Sequence, residues 1–260
     1  MIEHYLSDTE YRNYYPNLNN LRCIIAADLP IESHMRILDL ATGYGYFAIA
    51  LAEQDPTIHV AAIDISWDGV LHANTHITER GLADTIGLVR MDATSMGFAR
   101  ICFDMVVNSM GLEDIHMTRG SKGINQAFLE VNKVLKPAGR FCFAVMPLDT
   151  METEAQKTEA ALYSFICDAT WLTEKEYEHM LKHTGFELVE KRCYSTGKKL
   201  TPDQARTEIM EACEIVPRVY GRAVPTFKEI WQRFGEAIKQ NGLGHCSKLV
   251  VINAQKVAHG

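Results

Sequence analysis

The stretch "ILDLATGYGYFAIALAE", residues 37–53, decides how the chain is read. It opens as a short apolar run interrupted by Asp39 and closes as an apolar segment with helical spacing. Between the two, Gly43 and Gly45 remove side chains where the backbone must turn sharply. A buried strand passing through glycines into a helix is the first half of a βαβ unit. Its corner presents unpaired backbone N–H groups beyond the carboxyl end of the strand.

The same rhythm continues through the first 146 residues. Apolar runs at 36–40, 59–64, 86–91, 103–108 and 140–146 read as strands, and helical spacing at 46–54, 67–80 and 123–135 fills the gaps. Lys136-Pro137-Ala138-Gly139 reads as the stop of the last of these helices. Beyond them the pattern predicts helices at 150–168 and 173–183, a strand at 186–194, helices at 201–216 and 226–240, and a final strand at 247–253. Thr201 followed by Pro202 is a strong helix start. The predicted fold is α/β: a Rossmann-like, doubly wound, seven-stranded sheet, mostly parallel with an antiparallel last strand, carrying helical lid insertions. At 260 residues the chain is expected to be one domain. Within it we expect an N-terminal helical cap at 1–34, a ligand-binding core at 35–146, lid insertions at 147–172 and 197–245, and the remainder of the core at 173–196 and 246–256.

Composition narrows the partners. A formal charge of −7, with no basic run, argues against nucleic acid. Seven scattered cysteines without a CxxC pair read as reduced thiols, which predicts a cytoplasmic protein with neither a disulfide framework nor zinc. The polar N-terminal stretch has no leader pattern, and no apolar run approaches the roughly 18 residues of a membrane span, so no membrane partner is expected. His179 and His183 share a helix face but lack further ligands at metal spacing, and no metal is predicted.

Two cofactor classes use a glycine corner of this kind. Gly43-Tyr44-Gly45-Tyr46-Phe47-Ala48 satisfies GxGxxG/A, and Asp64 at the end of the second strand can take a ribose diol, so an NAD(P)-dependent oxidoreductase is one reading. Asp39 opposes it. A carboxylate just before the glycines repels a pyrophosphate and attracts an ammonium or a sulfonium.

Five segments together carry a resemblance. "ILDLATGYG" resembles motif I of the class I S-adenosylmethionine-dependent methyltransferases, and "IDIS" resembles their second-strand acid. "VRMDATSMGF", "FDMVVNSMGLEDI" and "VLKPAGRF" are similar to the third-strand, fourth-strand and pre-strand-five motifs, in family order over about residues 35–146. Ala41 departs from the pattern, standing where a glycine is usual. The resemblance implies S-adenosylmethionine as cofactor and S-adenosylhomocysteine as product, with a methyl acceptor of the small-molecule, quinone-biosynthesis-like type. It also implies site roles. Asp39 and the backbone of Ala41, Thr42, Gly43, Tyr44 and Gly45 would hold the methionine part, and Asp64 the ribose. Ile65 and Trp67 would flank the adenine, with Asp92 and Ala93 on its edge. Asn108, Ser109 and Met110 would lie beneath the sulfonium.

Any general base is expected in the loop after strand four, where Glu113 and His116 can take a proton. The chain between 197 and 245 is expected to lie over the ligand mouth. Tyr11, Tyr14, Tyr15, Tyr163, Phe165, Trp171, Tyr220 and Trp231 then offer aromatic walls, and Arg218, Arg222 and His245 could meet an acidic group. A non-catalytic cofactor-binding protein, with the lid as an interaction surface, is a third reading. The acceptor atom and the oligomeric state are not legible in the sequence.

Overall fold

The structure is a computed structural model and describes residues 18–258. At its centre β1 (Arg36–Leu40) runs parallel to both β2 (His59–Asp64) and β4 (Phe103–Ser109). With β3 (Ile86–Arg90), β5 (Leu135–Val145), β6 (Phe186–Ser195) and β9 (Lys248–Lys256), the sheet order is β3-β2-β1-β4-β5-β9-β6. β9 is antiparallel to both of its neighbours. The chain reverses direction across the sheet at β1, so a crevice opens beyond the carboxyl ends of β1 and β4.

Alternation along the strands explains the two covered faces. Ile37, Met105 and Val107 pack with α1 (Leu18–Asp28), α2 (Tyr46–Ala52) and α3 (Trp67–Glu79), while Leu38, Leu40 and Val106 pack with α4 (Leu112–Val134) and α6 (Glu174–His183). α2 is apolar throughout and buried from Phe47 to Ala52. It cannot reach solvent, and it fixes the glycine corner at its head.

Above this layer stands a third core. α5 (Glu154–Cys167), α7 (Pro202–Tyr220) and α8 (Phe227–Asn241) pack around Leu162, Ile209, Val216, Ile230, Phe234 and Ile238. A short ladder between β7 (Lys199–Leu200) and β8 (Leu243–Gly244) closes the base of the α7–α8 insertion. Each of these three helices, and α6, begins with a threonine capping box in which the threonine and a Glu or Gln three residues on satisfy each other's backbone N–H groups.

Three of the boundaries that differ from the sequence reading have a clear physical cause or bear on the site. α4 begins at Leu112 rather than near 123, because it runs through a break at Gly120, whose φ of 67° and ψ of −172° interrupt the helical pattern. The segment read as a stop at 136–139 lies inside β5: Leu135 already pairs with Phe103, and the ladder resumes at Arg140 opposite Met105 after an irregularity. α7 continues through Pro217 to Tyr220, four residues beyond the stretch read as helical. Of the expected N-terminal cap, 18–28 is helix α1, and 1–17, with Tyr11, Tyr14 and Tyr15, lie outside the described residues. No helix among the described residues is long and apolar enough to cross a membrane, and none of their His, Cys, Asp and Glu side chains gather into a metal-binding group.

Candidate active site

A cavity of about 310 Å3 lies in the crevice at the carboxyl ends of β1 and β4. Its floor is the glycine corner, its sides are the ends of β2 and β3, and α5 and α7 reach over it.

The corner is bent by left-handed backbone at Ala41 (φ 53°), Gly43 (φ 55°) and Gly45 (φ 78°). A Cβ at Gly43 would meet nothing within 4 Å, so this glycine leaves its side of the turn open to a ligand. Gly45 serves packing instead, since a Cβ there would stand 3.0 Å from that of Ala73. Ala41 adopts its conformation against a cost of about 1 kcal/mol or more for a residue with a Cβ. Room for its methyl group comes from Gly111, where a Cβ would come within 2.8 Å of it. The departure from the motif is thus matched by a glycine in the loop after β4.

Asp64 is buried and accepts the N–H groups of Gly43 and Ser66, each at 2.8 Å. It therefore ties the corner to the head of α3. An ionised carboxylate has roughly four lone-pair sites and accepts only, which suits it to hydroxyl donors such as a diol. Asp92 also lines the cavity; one oxygen takes the amide and hydroxyl of Thr94, and the other pairs with Arg119 at 3.0 Å. Ala41, Thr42, Tyr44, Ile65, Ala93, Ser109 and Met110 line the cavity as well. An open glycine, a buried diol-type acceptor and an adjoining polar strand end suit the ribose and methionine parts of S-adenosylmethionine, and these residues fit it.

Other expected positions lie elsewhere. Asp39 is beneath the lining, 1% exposed, and binds the Thr42 hydroxyl. Burial pushes its carboxyl up to about 7, against the Thr42 hydrogen bond and the field of Arg22. Thr42, which lines the cavity, stands between Asp39 and the open space. Asn108 is also behind the lining, donating to the Leu40 carbonyl at 2.6 Å and accepting from Gly111, which clamps β4 to β1. Trp67 is 55% exposed and outside the cavity, because it begins α3 on the side turned from the sheet. Of the two residues expected to flank the adenine, Ile65 lines the cavity and Trp67 does not.

The two candidate bases part company. Glu113 lines the cavity; one of its oxygens takes a long 3.4 Å contact from the Met146 N–H and the other is buried without a partner. Burial pushes its carboxyl up to about 7, within the range of a proton acceptor near neutral pH. His116 is not in the lining and sits 3.2 Å from the Ser121 hydroxyl.

Of the aromatic candidates, Tyr163, Trp171 and Tyr220 reach the cavity. Phe165 packs on Phe234, and Trp231 stacks on Phe227 beneath Arg206, so these rings hold the lid together. Arg222 donates to the carbonyls of Cys167 and Met117, and His245 faces Glu208 at 3.5 Å; both are structural ties. Sequence reasoning did not find Glu159, Arg119 or Met146 as lining residues. Nothing in their local pattern marks them, because distant elements bring them to the site.

A family model described as a methyltransferase domain matches residues 31–185. A demethylmenaquinone methyltransferase from Clavibacter sepedonicus is 30% identical over 183 residues, covering 62% of this chain and 69% of that protein. The chain spans about half the length of further curated relatives that it matches. Among solved structures, the 4+2 cyclase SpnF superposes with a TM-score of 0.65 at 19% identity, covering 100% of this chain and 89% of the other. A phosphoethanolamine N-methyltransferase from Haemonchus contortus, in complex with S-adenosylhomocysteine, superposes with a TM-score of 0.60 at 16% identity, covering 95% and 56%.

Proposed function

The chain belongs to the methyltransferase-domain family and is an S-adenosylmethionine-dependent methyltransferase; from that premise we propose that its acceptor is a small organic molecule, bound between the glycine corner and the helical lid. The observation that carries this reading is the two-sided cavity. One side has Gly43 and Asp64, suited to the cofactor, and the lining also holds Glu113, Tyr163, Trp171 and Tyr220, suited to an organic acceptor.

When bound, S-adenosylmethionine supplies a methyl group on a sulfonium, a donor that is already activated. The protein's share is to align the acceptor and exclude water. Tyr163, Trp171 and Tyr220 present flat apolar surface for the acceptor body. Tyr220 donates to Asp114 at 2.8 Å, which ties the end of α7 to the start of α4 and closes the wall. Glu113, on the same helical turn as Asp114, is placed to take a proton from an acceptor that must lose one. Arg119 and Asp92 join α4 to the end of β3 on the opposite side.

Calorimetric titration is the direct test. We expect S-adenosylhomocysteine to bind and NAD not to bind, and we expect methyl transfer to appear with small acceptors. Binding of NAD without S-adenosylhomocysteine would return the corner to the oxidoreductase reading.

A further inference from the structure

The wall of the cavity away from the glycine corner is acidic. Besides Asp64 and Asp92, the lining holds Glu113 and Asp114 from the start of α4 and Glu159 from α5. None of the three is in an ion pair among the described residues. Asp114 accepts the Tyr220 hydroxyl at 2.8 Å. Glu159 is 3% exposed; one oxygen accepts the Cys246 N–H at 2.8 Å, and the other is buried with no partner. Gly244 makes room for that oxygen, since a Cβ there would collide with it. Glu113 likewise has one buried oxygen without a partner.

Two carboxylates on one cavity wall, each with a buried oxygen that has no hydrogen-bond partner among the described residues, call for an explanation, because buried polar atoms are nearly always hydrogen-bonded and an unpaired buried charge is costly. Near Glu159, His245 pairs with Glu208 of α7 at 3.5 Å, and the fields of these two groups on the Glu159 carboxyl oppose each other, His245 lowering it and Glu208 raising it. The lining contains two cationic side chains, Arg22 and Arg119, and both are engaged: Arg22 donates to Asn19 at 2.8 Å, and Arg119 pairs with Asp92. Burial pushes Glu113 and Glu159 up to about 7 and Asp114 to about 6. Near neutrality these groups yield their charge unless a cation arrives to hold it. The buried Cys246 thiol, raised first by its own burial, is raised further by both Glu159 and Glu113, so the two carboxylates act on one region of the cavity. Tyr163, Trp171 and Tyr220 add ring faces that attract cations.

We propose that the acceptor carries a basic nitrogen, held as its ammonium by Glu159, Glu113 and Asp114 with its apolar body against Trp171 and Tyr220. This rests on the methyltransferase reading above. An ammonium N–H must be lost before nitrogen has a lone pair to offer, and the Glu113 carboxylate on the cavity wall is placed to receive that proton and become the neutral acid. The family match ends at residue 185, before α7 brings Tyr220 to this wall.

The test uses the full chain with saturating S-adenosylhomocysteine and two probes of one shape, 2-phenylethylamine and 2-phenylethanol, titrated by calorimetry. We expect the amine to bind about tenfold or more tightly than the alcohol, and its affinity to rise about tenfold between about pH 6 and about pH 8 as the carboxyls ionise. Glu159→Gln preserves an acceptor for the Cys246 N–H and should remove about tenfold of the amine's advantage while leaving circular dichroism unchanged. Equal binding of the two probes, no amine binding, binding that strengthens toward low pH, or a preference that survives in Glu159→Gln and Glu113→Gln alike overturns the proposal. The cofactor titration separates the two readings. If S-adenosylhomocysteine fails to bind, the methyltransferase reading falls and this one with it; if it binds and the amine is not preferred, only the acceptor class falls.

Discussion

Asp64 joins Gly43 to Ser66 through its two oxygens, so its side chain sets the shape of the corner as well as offering acceptors to a ligand. Asp64→Ala should weaken S-adenosylhomocysteine binding by about 1.5–3 kcal/mol in calorimetry, through loss of charge-assisted hydrogen bonds and through two orphaned N–H groups. Unchanged affinity would mean the ribose lies elsewhere. Glu159 bears on stability in another way. Burial raises its carboxyl from the ordinary 4.5 to about 7, so the folded state holds a proton that the unfolded state has already released. The stability linked to that proton is full below about 4.5 and is lost as pH rises through about 7. Glu159→Gln has no such proton. The melting temperature of the variant minus that of the natural protein should therefore increase from about pH 5 to about pH 8; a flat difference would show that Glu159 is not desolvated.

Among the elements, α4 does the most to connect fold and site. Its break at Gly120 separates an initial segment, carrying Glu113, Asp114 and Arg119, from the long buried stretch packed under the sheet. A Cβ at Gly120 would touch nothing, so substitution tests the backbone alone. Gly120→Ala places a side chain at positive φ with extended ψ and should cost about 1–3 kcal/mol in denaturant unfolding. A smaller loss would show that the break relaxes without glycine. The capping boxes are the local counterpart on the lid: Thr226, whose hydroxyl accepts from the Glu229 N–H, starts α8. Its exchange for alanine should lower stability by about 1 kcal/mol.

At the scale of the whole molecule, the lid has a core of its own, and we expect it to open as a separate cooperative unit. Ile230 is fully buried at the centre of that core. Ile230→Ala should cost about 2–5 kcal/mol, expressed mainly as loss of amide protection in α5, α7 and α8. The sheet amides and the affinity for S-adenosylhomocysteine should change little, because β1, β2 and the corner belong to other clusters. Equal loss of protection in lid and sheet, measured by hydrogen exchange, would show one cooperative core instead.

The order of strands, the glycine corner and Asp64 were legible in the sequence because each is set by local patterning: apolar runs with period two, glycines where φ is positive, and an acid at a strand end. The capped start at Thr201 was legible for the same reason. The break at Gly120 was not, because an isolated glycine in a polar stretch marks no particular geometry. Trp67 and His116 share the site's sequence neighbourhood yet turn away from it, since a helix presents successive residues on different faces. The acidic wall is wholly tertiary. Glu113 and Glu159 are 46 residues apart and on different helices, and they face one cavity only because α5 packs with α7 and α8 above the carboxyl ends of the sheet. Local chemistry, written in adjacent residues, determined the glycine corner and its acid; long-range packing, which no short stretch encodes, decided which side chains line the rest of the cavity.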